Sequence, residues 1–233
     1  MSSGPRRALD GNDAMHVAIV MNGNGRWAAR RGLNPTSGCF EGAIALRATV
    51  TAAAQSGIKT LTVYALRAAD PRRARAEVEA DASVVRSYLR AERENCQRRQ
   101  IGVSLIGWRE QLAALRLDPG LERSGTHSRM HLRIVIDYDA ERTPSAAGAV
   151  ELLIRAGGAS SLGDFILWEA AHARLHTAAC LWPDFSEHEL QRALRDHPRG
   201  AAASRAFLAL SRTATSRPVT EKELSRDGNP GTL

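Results

Sequence analysis

The chain has 233 residues, 43% of them hydrophobic, which fills one core and leaves little for a second large domain. Its formal charge is +7 and its pI near 10.1, so an anionic partner is expected. All 32 basic residues except Lys59 and Lys222 are arginines, whose planar fork suits phosphate oxygens. The widely spaced Cys39, Cys96 and Cys180 exclude a disulfide framework and a cysteine zinc centre. No apolar run approaches the roughly 18 residues of a membrane span. With only 5% aromatics and dispersed arginines, no stacking stripe for nucleic acid is present, and nucleic acid is not an expected partner.

In chain order, residues 1–14 read as a disordered leader that lacks the apolar core of a secretory signal. His16–Met21 reads as a buried strand, followed by Asn22-Gly23-Asn24-Gly25-Arg26-Trp27 and a helical stretch to Arg31. A helix is predicted over Gly42–Gln55, with Ala43, Ile44, Leu46, Val50 and Ala53 on one face, and a strand over Lys59–Leu66. A long charged helix follows at Glu77–Arg99, with Val78, Val84, Val85 and Leu89 as its stripe. Strands at Gly102–Ile106 and His131–Tyr138 flank a short helix at Glu110–Leu117. Val150–Arg155 is a further strand, Asp164–Ala171 starts a helix, and Ala173–Ala178 is a short strand. Ser186 and Glu189 have capping-box spacing at the head of a helix over Ser186–His197. Residues 212–233 read as a disordered tail, leaving 15–211 as the folded domain.

Alternating strands and helices predict a single α/β domain with a central, mainly parallel sheet surrounded by helices. Ligands of such sheets sit beyond the carboxyl ends of the strands. The loops at Asn22–Trp27, Leu66–Arg73, Tyr138–Arg142 and Arg155–Ser161 meet there. In the first of them two glycines admit a ligand to the backbone, the helix start presents N–H groups, and Arg26 adds a charge. That is an anion cradle suited to diphosphate; a plain Asn-Gly turn is the competing reading of the same residues.

The run HVAIVMNGNGRWAARRG resembles the signature loop of the cis-prenyltransferases, the undecaprenyl diphosphate synthase type. KTLTVYAL, Arg72-Arg73 with Glu77-Val78, IRAGG at Ile154–Gly158, DFILWEAAHARLH at Asp164–His176 and LWPDF at Leu181–Phe185 match in the same order, so the resemblance spans most of residues 16–196. It implies the family's fold, a parallel sheet of about six strands, and a homodimer. The implied chemistry joins an allylic prenyl diphosphate, of the farnesyl or geranyl type, to isopentenyl diphosphate; dimethylallyl diphosphate is a further candidate substrate. By resemblance Gly23, Asn24, Gly25 and Arg26 bind the allylic diphosphate, with Arg67, Arg73 and the nearby Trp27, Cys39 and Tyr138. Arg155, Gly157, Gly158 and Ser161 would take the second diphosphate. The hydrocarbon tail would lie between the sheet and the helices near Gly42–Gln55 and Val78–Leu89.

The sequence departs from the family pattern at the chemistry. The family's magnesium-holding aspartate is Asn22 here and its second acidic ligand is Arg174, so no metal site is expected, although Mg2+ is the family cofactor. An amide keeps an acceptor but lacks the charge that holds a hard dication. An arginine and a histidine that grip the first diphosphate become Pro35 and Cys39. The family's Ser-x-x-Asn-Trp run is Arg67, Asp70 and Pro71 here, and the stretch from Tyr138 to Ile154 is shortened. Arg174 is then a candidate fixed cation that replaces the metal with Arg26 and Arg67, or simply a surface ion-pair residue. Asp70 is a candidate general base or a turn residue before proline. Asp137 and Asp139 are two apart on a strand end and could share a metal or be solvated. Cys39 fills space rather than attacking substrate, and His172 with His176 make a poor metal pair. Trp168, Trp182 and Phe185 read as packing residues.

Three functions follow: a divergent prenyl-diphosphate transferase, a cyclase or lyase using one prenyl diphosphate, and a non-catalytic subunit. The intact GNGRW loop argues against the last. The location expected is cytoplasmic, with loose attachment to anionic membrane surfaces.

Overall fold

The computed structural model describes residues 15–67, 74–117, 128–137, 148–158 and 170–197. Six strands form one sheet: β1 (His16–Val20), β2 (Thr60–Leu66), β3 (Ile101–Ile106), β4 (Met130–Ile136), β5 (Leu152–Arg155) and β6 (Arg174–Thr177). Their order is β3-β4-β2-β1-β5-β6 and every neighbouring pair is parallel. The α/β fold read from the sequence is therefore the fold observed. Among the described residues the helices are α1 (Asn24–Ala29), α2 (Pro35–Gln55), α3 (Arg75–Arg98), α4 (Arg109–Ala114) and α5 (Glu187–Arg195), with a 3-10 turn at Trp182–Asp184.

β1 is buried at all five positions, as a central strand covered on both faces must be. Val17 and Ile19 face the main core with α2, α3 and α5, while Ala18 and Val20 face a smaller cluster with Val135, Val150 and Leu153. Trp182 is fully buried, donates from Nε1 to the Gly42 carbonyl at 2.8 Å, and stacks on Phe185 at 5.1 Å.

Several boundaries differ from the sequence reading, each for a local reason. α2 begins at Pro35 rather than Gly42: Asn34 caps it by accepting from the Ser37 N–H at 2.9 Å, and proline fits its first position. Ile44 leaves the expected apolar face and is 58% exposed. On α3 the buried stripe runs through Ala82, Val84, Tyr88 and Leu89 to Glu92, whose carboxylate pairs with Arg47 of α2 at 2.5 Å. β4 stops before Asp137 and α4 before Arg116, because these two residues take φ of +47° and +51°, which neither a strand nor a helix continues. Ser186 precedes α5 but its side chain caps nothing, so the capping box does not form. The leader, the tail and the helix start at 164–169 lie outside the described residues.

α2 approaches the start of α1 through Gly38. A Cβ there would sit 2.1 Å from the Asn24 carbonyl oxygen, a backbone atom that cannot swing away. Gly38→Ala should therefore destabilise the fold by about 1–3 kcal/mol, typical of overpacking. Chemical denaturation checks this as a lowered midpoint at unchanged slope.

Candidate active site

The carboxyl ends of β1, β5 and β6 build one rim, and the loop after β1 is pinned from both sides. Gly23 ends that loop in a left-handed conformation, φ +117°, against Leu181: a Cβ at Gly23 would lie 2.8 Å from Leu181 Cδ2. The Asn22 carbonyl accepts the Trp182 N–H at 3.0 Å, and the Gly157 N–H donates to the Cys180 carbonyl at 2.7 Å. Gly157, φ +86°, admits no side chain, since a Cβ would meet both the Asn22 carbonyl and Arg26 Nη2 at 2.7 Å. Gly25, in contrast, has open space where a Cβ would stand. Of the two loop glycines, one is required by the fold and the other lies open to a ligand.

α1 starts directly after Gly23, so the N–H groups of Asn24, Gly25 and Arg26 precede its first intrahelical bond, from Trp27 N–H to the Gly23 carbonyl at 2.8 Å. Arg26 is exposed and spends one donor on the Gly157 carbonyl at 2.8 Å. Trp27 Nε1 donates to Asp184 at 2.7 Å while Arg31 lies 3.9 Å over the indole ring and pairs with Asp184 at 3.4 Å. These contacts tie α1 to the 3-10 turn after β6.

Two residues before Gly157, Arg155 closes β5. It is only 4% exposed, its Nε is buried without a hydrogen-bond partner, and no described residue pairs with its guanidinium. A buried charge of this kind costs several kcal/mol unless an opposite charge meets it, so the position suits an anion. The Arg26–Gly157 bond holds Arg26 against the backbone two residues beyond Arg155. Arg67, at the end of β2, is exposed on the same side. Gly158 follows in a left-handed conformation with open space around it.

Below the loop, a pocket open to solvent on one side lies between the sheet and α2 and α3. Met21, Leu46, Ala65, Val84, Val85 and Ile134 supply apolar walls, and Asn24, Cys39, Asp81, Tyr88 and Trp182 also line it. Its place matches the one expected for a hydrocarbon tail. Cys39 donates from its thiol to the Asp81 carboxylate at 2.9 Å, and Asn24 Nδ2 lies 3.9 Å from the same sulfur. Burial, with Cys96 and Glu92 adding to it, pushes the Tyr88 phenol far above its ordinary value, so it stays neutral. Burial likewise pushes the Cys96 thiol up to about 11 and raises Cys180, which leaves neither available as a thiolate at neutral pH.

Arg174 is not brought to this rim. It opens β6 in register with Leu152 and Val17, whereas Thr177, in register with Arg155 and Val20, lies at the loop end. Three residues of strand, about 10 Å, separate the two levels. The loop therefore does not gain Arg174 as a substitute cation within one chain. Among the described residues no group of three or more His, Cys, Asp or Glu side chains could hold a metal ion. With Asn22 at the loop, the described residues do not fit the family's magnesium. His176 pairs with Asp196 at 3.6 Å. Asp70, Arg73, Tyr138, Asp139, Ser161 and Trp168 lie outside the described residues. Asp81 was missed in the sequence, where it is one acid among many on a charged helix; only its contact with Cys39 singles it out.

The family model described as "Putative undecaprenyl diphosphate synthase" matches residues 20–147 and 140–203. Isoprenyl transferase 1 of Bradyrhizobium diazoefficiens is 35% identical over 214 residues, covering 78% of this chain and 86% of that protein. Isoprenyl transferase of Aquifex aeolicus is 32% identical, covering 79% and 92%. Among solved structures, lavandulyl diphosphate synthase from Lavandula x intermedia, in complex with dimethylallyl diphosphate, aligns with a TM-score of 0.69 at 26% identity, covering 79% of this chain and 95% of that one. With the sheet order, the glycine loop and these matches in agreement, the chain belongs to the undecaprenyl diphosphate synthase family, the cis-prenyltransferases.

Proposed function

We propose that the chain is a transferase that binds an allylic prenyl diphosphate at Asn22–Trp27 with its tail in the cavity under α2 and α3. The observation that carries this reading is the glycine loop itself: Arg26 exposed on it and bonded to the Gly157 carbonyl, and Asn24 of the same loop lining an apolar-walled pocket between the sheet and α2 and α3. Ionisation breaks the bond from C1 to oxygen, and its electron pair leaves with the diphosphate. The N–H groups of the first turn of α1, Arg26 and the exposed Arg67 stabilise that departing charge. Arg155 with Gly157 and Gly158 grips the diphosphate of a second, isopentenyl-type substrate, whose double bond closes on C1 before a proton is lost. Asn22 orients the first diphosphate through its amide, a neutral group in place of a carboxylate. No step here runs through a metal, so the expected activity persists in excess chelator. Ser161, Arg73 and Asp70 belong to the proposed site by their place in the family motifs, and a homodimer loosely attached to anionic membranes completes the reading.

A second reading, a cyclase or lyase using one prenyl diphosphate, is favoured by a single observation, the Asp81 carboxylate in the cavity wall. Incubation with farnesyl or geranyl diphosphate, with and without isopentenyl diphosphate, separates the two: a longer diphosphate supports transfer, a hydrocarbon or alcohol supports the cyclase. Calorimetric silence toward every prenyl diphosphate, with and without chelator, overturns both.

Arg155→Gln should weaken the second diphosphate about 10–100-fold while the first substrate binds as before, since a charged hydrogen-bond donor is worth about 1.5–3 kcal/mol. Competition titrations with each diphosphate would resolve the split. Gly25→Ala should leave stability within about 0.5 kcal/mol of the parent and reduce prenyl diphosphate affinity. Gly23→Ala should cost about 2 kcal/mol of stability through its left-handed backbone alone; thermal melts of the two variants, run together, test this contrast.

A further inference from the structure

α1 is six residues long, has glycine at its second position, carries no acid in its first turn, and receives no side-chain cap from Gly23. A helix of this length and composition does not hold itself together in water, so its direction is set from outside. Its far end is fastened to one side chain. Trp27 Nε1 donates to Asp184 Oδ1 at 2.7 Å, and Arg31 Nη2 donates to the same oxygen at 3.4 Å. The Arg31 guanidinium lies 3.9 Å over the indole, and its Nη1 donates to the Trp27 carbonyl at 3.4 Å, which closes the group. Arg31 and Asp184 are 43% and 46% exposed, so their ion pair is weak; the short bond from the indole to a carboxylate is the stronger contact. Asp184 stands on a firm base. It ends the 3-10 turn between Trp182 and Phe185, which are buried and stacked on each other, and the Trp182 N–H is bonded to the Asn22 carbonyl.

We propose that Asp184 is a positioning residue for the diphosphate: through Trp27 it sets the direction of α1 and so places the Arg26 guanidinium, one residue earlier, at the rim. The inference rests on the prenyl diphosphate reading above and adds the group that aims the loop's charge. Arg26 spends one of its five donors on the Gly157 carbonyl, and the others serve an anion only while the helix that carries them is fixed. An acid at this rim opposes an anion by its own charge, and Arg31 on the same carboxylate offsets that repulsion.

The two ways an acid could act here have opposite signs. A carboxylate acting by charge alone weakens anion binding, so its removal tightens it; one that places Arg26 does the reverse. Titration calorimetry with farnesyl diphosphate, and separately with inorganic pyrophosphate, compares the parent chain with Asp184→Ala, Asp184→Asn and Trp27→Phe. Asp184→Ala and Trp27→Phe should each weaken both ligands about tenfold, and the two together no further, as one contact requires. Asp184→Asn, which keeps an acceptor for the indole N–H, should restore most of the affinity. Arg26→Gln should cost the parent about tenfold but Asp184→Ala about twofold or less, a coupling that general loss of stability does not produce. Unchanged or tighter binding in Asp184→Ala overturns the proposal, as does an equal Arg26→Gln loss in both backgrounds. Should Asp184→Ala fail to fold, Trp27→Phe carries the same comparison with Arg26→Gln. A parent chain that binds pyrophosphate but not farnesyl diphosphate, with the coupling intact, upholds the positioning role and sinks the transferase reading; one that binds both without coupling does the opposite.

Discussion

The rim of this sheet is organised around one backbone carbonyl, that of Asn22. It accepts the Trp182 N–H, it lies where a Cβ at Gly157 would have to go, and it belongs to the turn that Gly23 can make only with positive φ. Three loops, following β1, β5 and β6, therefore meet closely there, with the Leu181 side chain against Gly23 and that of Arg26 against Gly157. Close backbone packing of this kind is rigid, because neither a peptide plane nor a glycine has a rotamer to yield. The Arg26–Gly157 hydrogen bond sits on the same junction, so an exposed guanidinium is held beside the end of β5, where Arg155 is buried.

Charge at this rim is arranged differently from that in the family pattern. A carboxylate that recruits a dication brings two charges of opposite sign to a diphosphate, and both must be in place before the leaving group departs. Here the loop carries the Asn22 amide, with the guanidinium of Arg26 beside it. Fixed guanidinium groups need no recruitment and bind no hydroxide, but they cannot move toward oxygen as charge develops there. Asp81 lines the pocket beneath the loop, and Asp184 accepts from Trp27 of the loop.

α2 shows how one helix serves both fold and cavity. Gly38 and Gly42 let it lie against Asn24 and Trp182, and the same stretch turns Cys39, Ala43 and Leu46 toward the space beneath the loop. A larger residue at Gly38 would lift the helix from α1 and open the junction to water. Its first two turns were not read from the sequence because Thr36, Ser37, Gly38 and Gly42 are weak helix formers; the start signal was nonetheless present in Asn34 followed by Pro35.

The sequence by itself determined the order of strands and helices, the parallel sheet and the family. Period-two and 3.6-residue patterns, and glycines at forced turns, are local properties that survive without any knowledge of neighbours. It also singled out Asn22–Trp27 and Arg155, which the fold brings to the carboxyl ends of β1 and β5. Only the tertiary structure decided which of the remaining charges share a site. Arg174 and Arg155 both border β5 or lie on it, yet the register puts Arg174 at the far end of the sheet, while Asp81 and Cys39, 42 residues apart, come to 2.9 Å. Register and helix-on-helix contact are set by long-range packing of the core, and no window of sequence contains them.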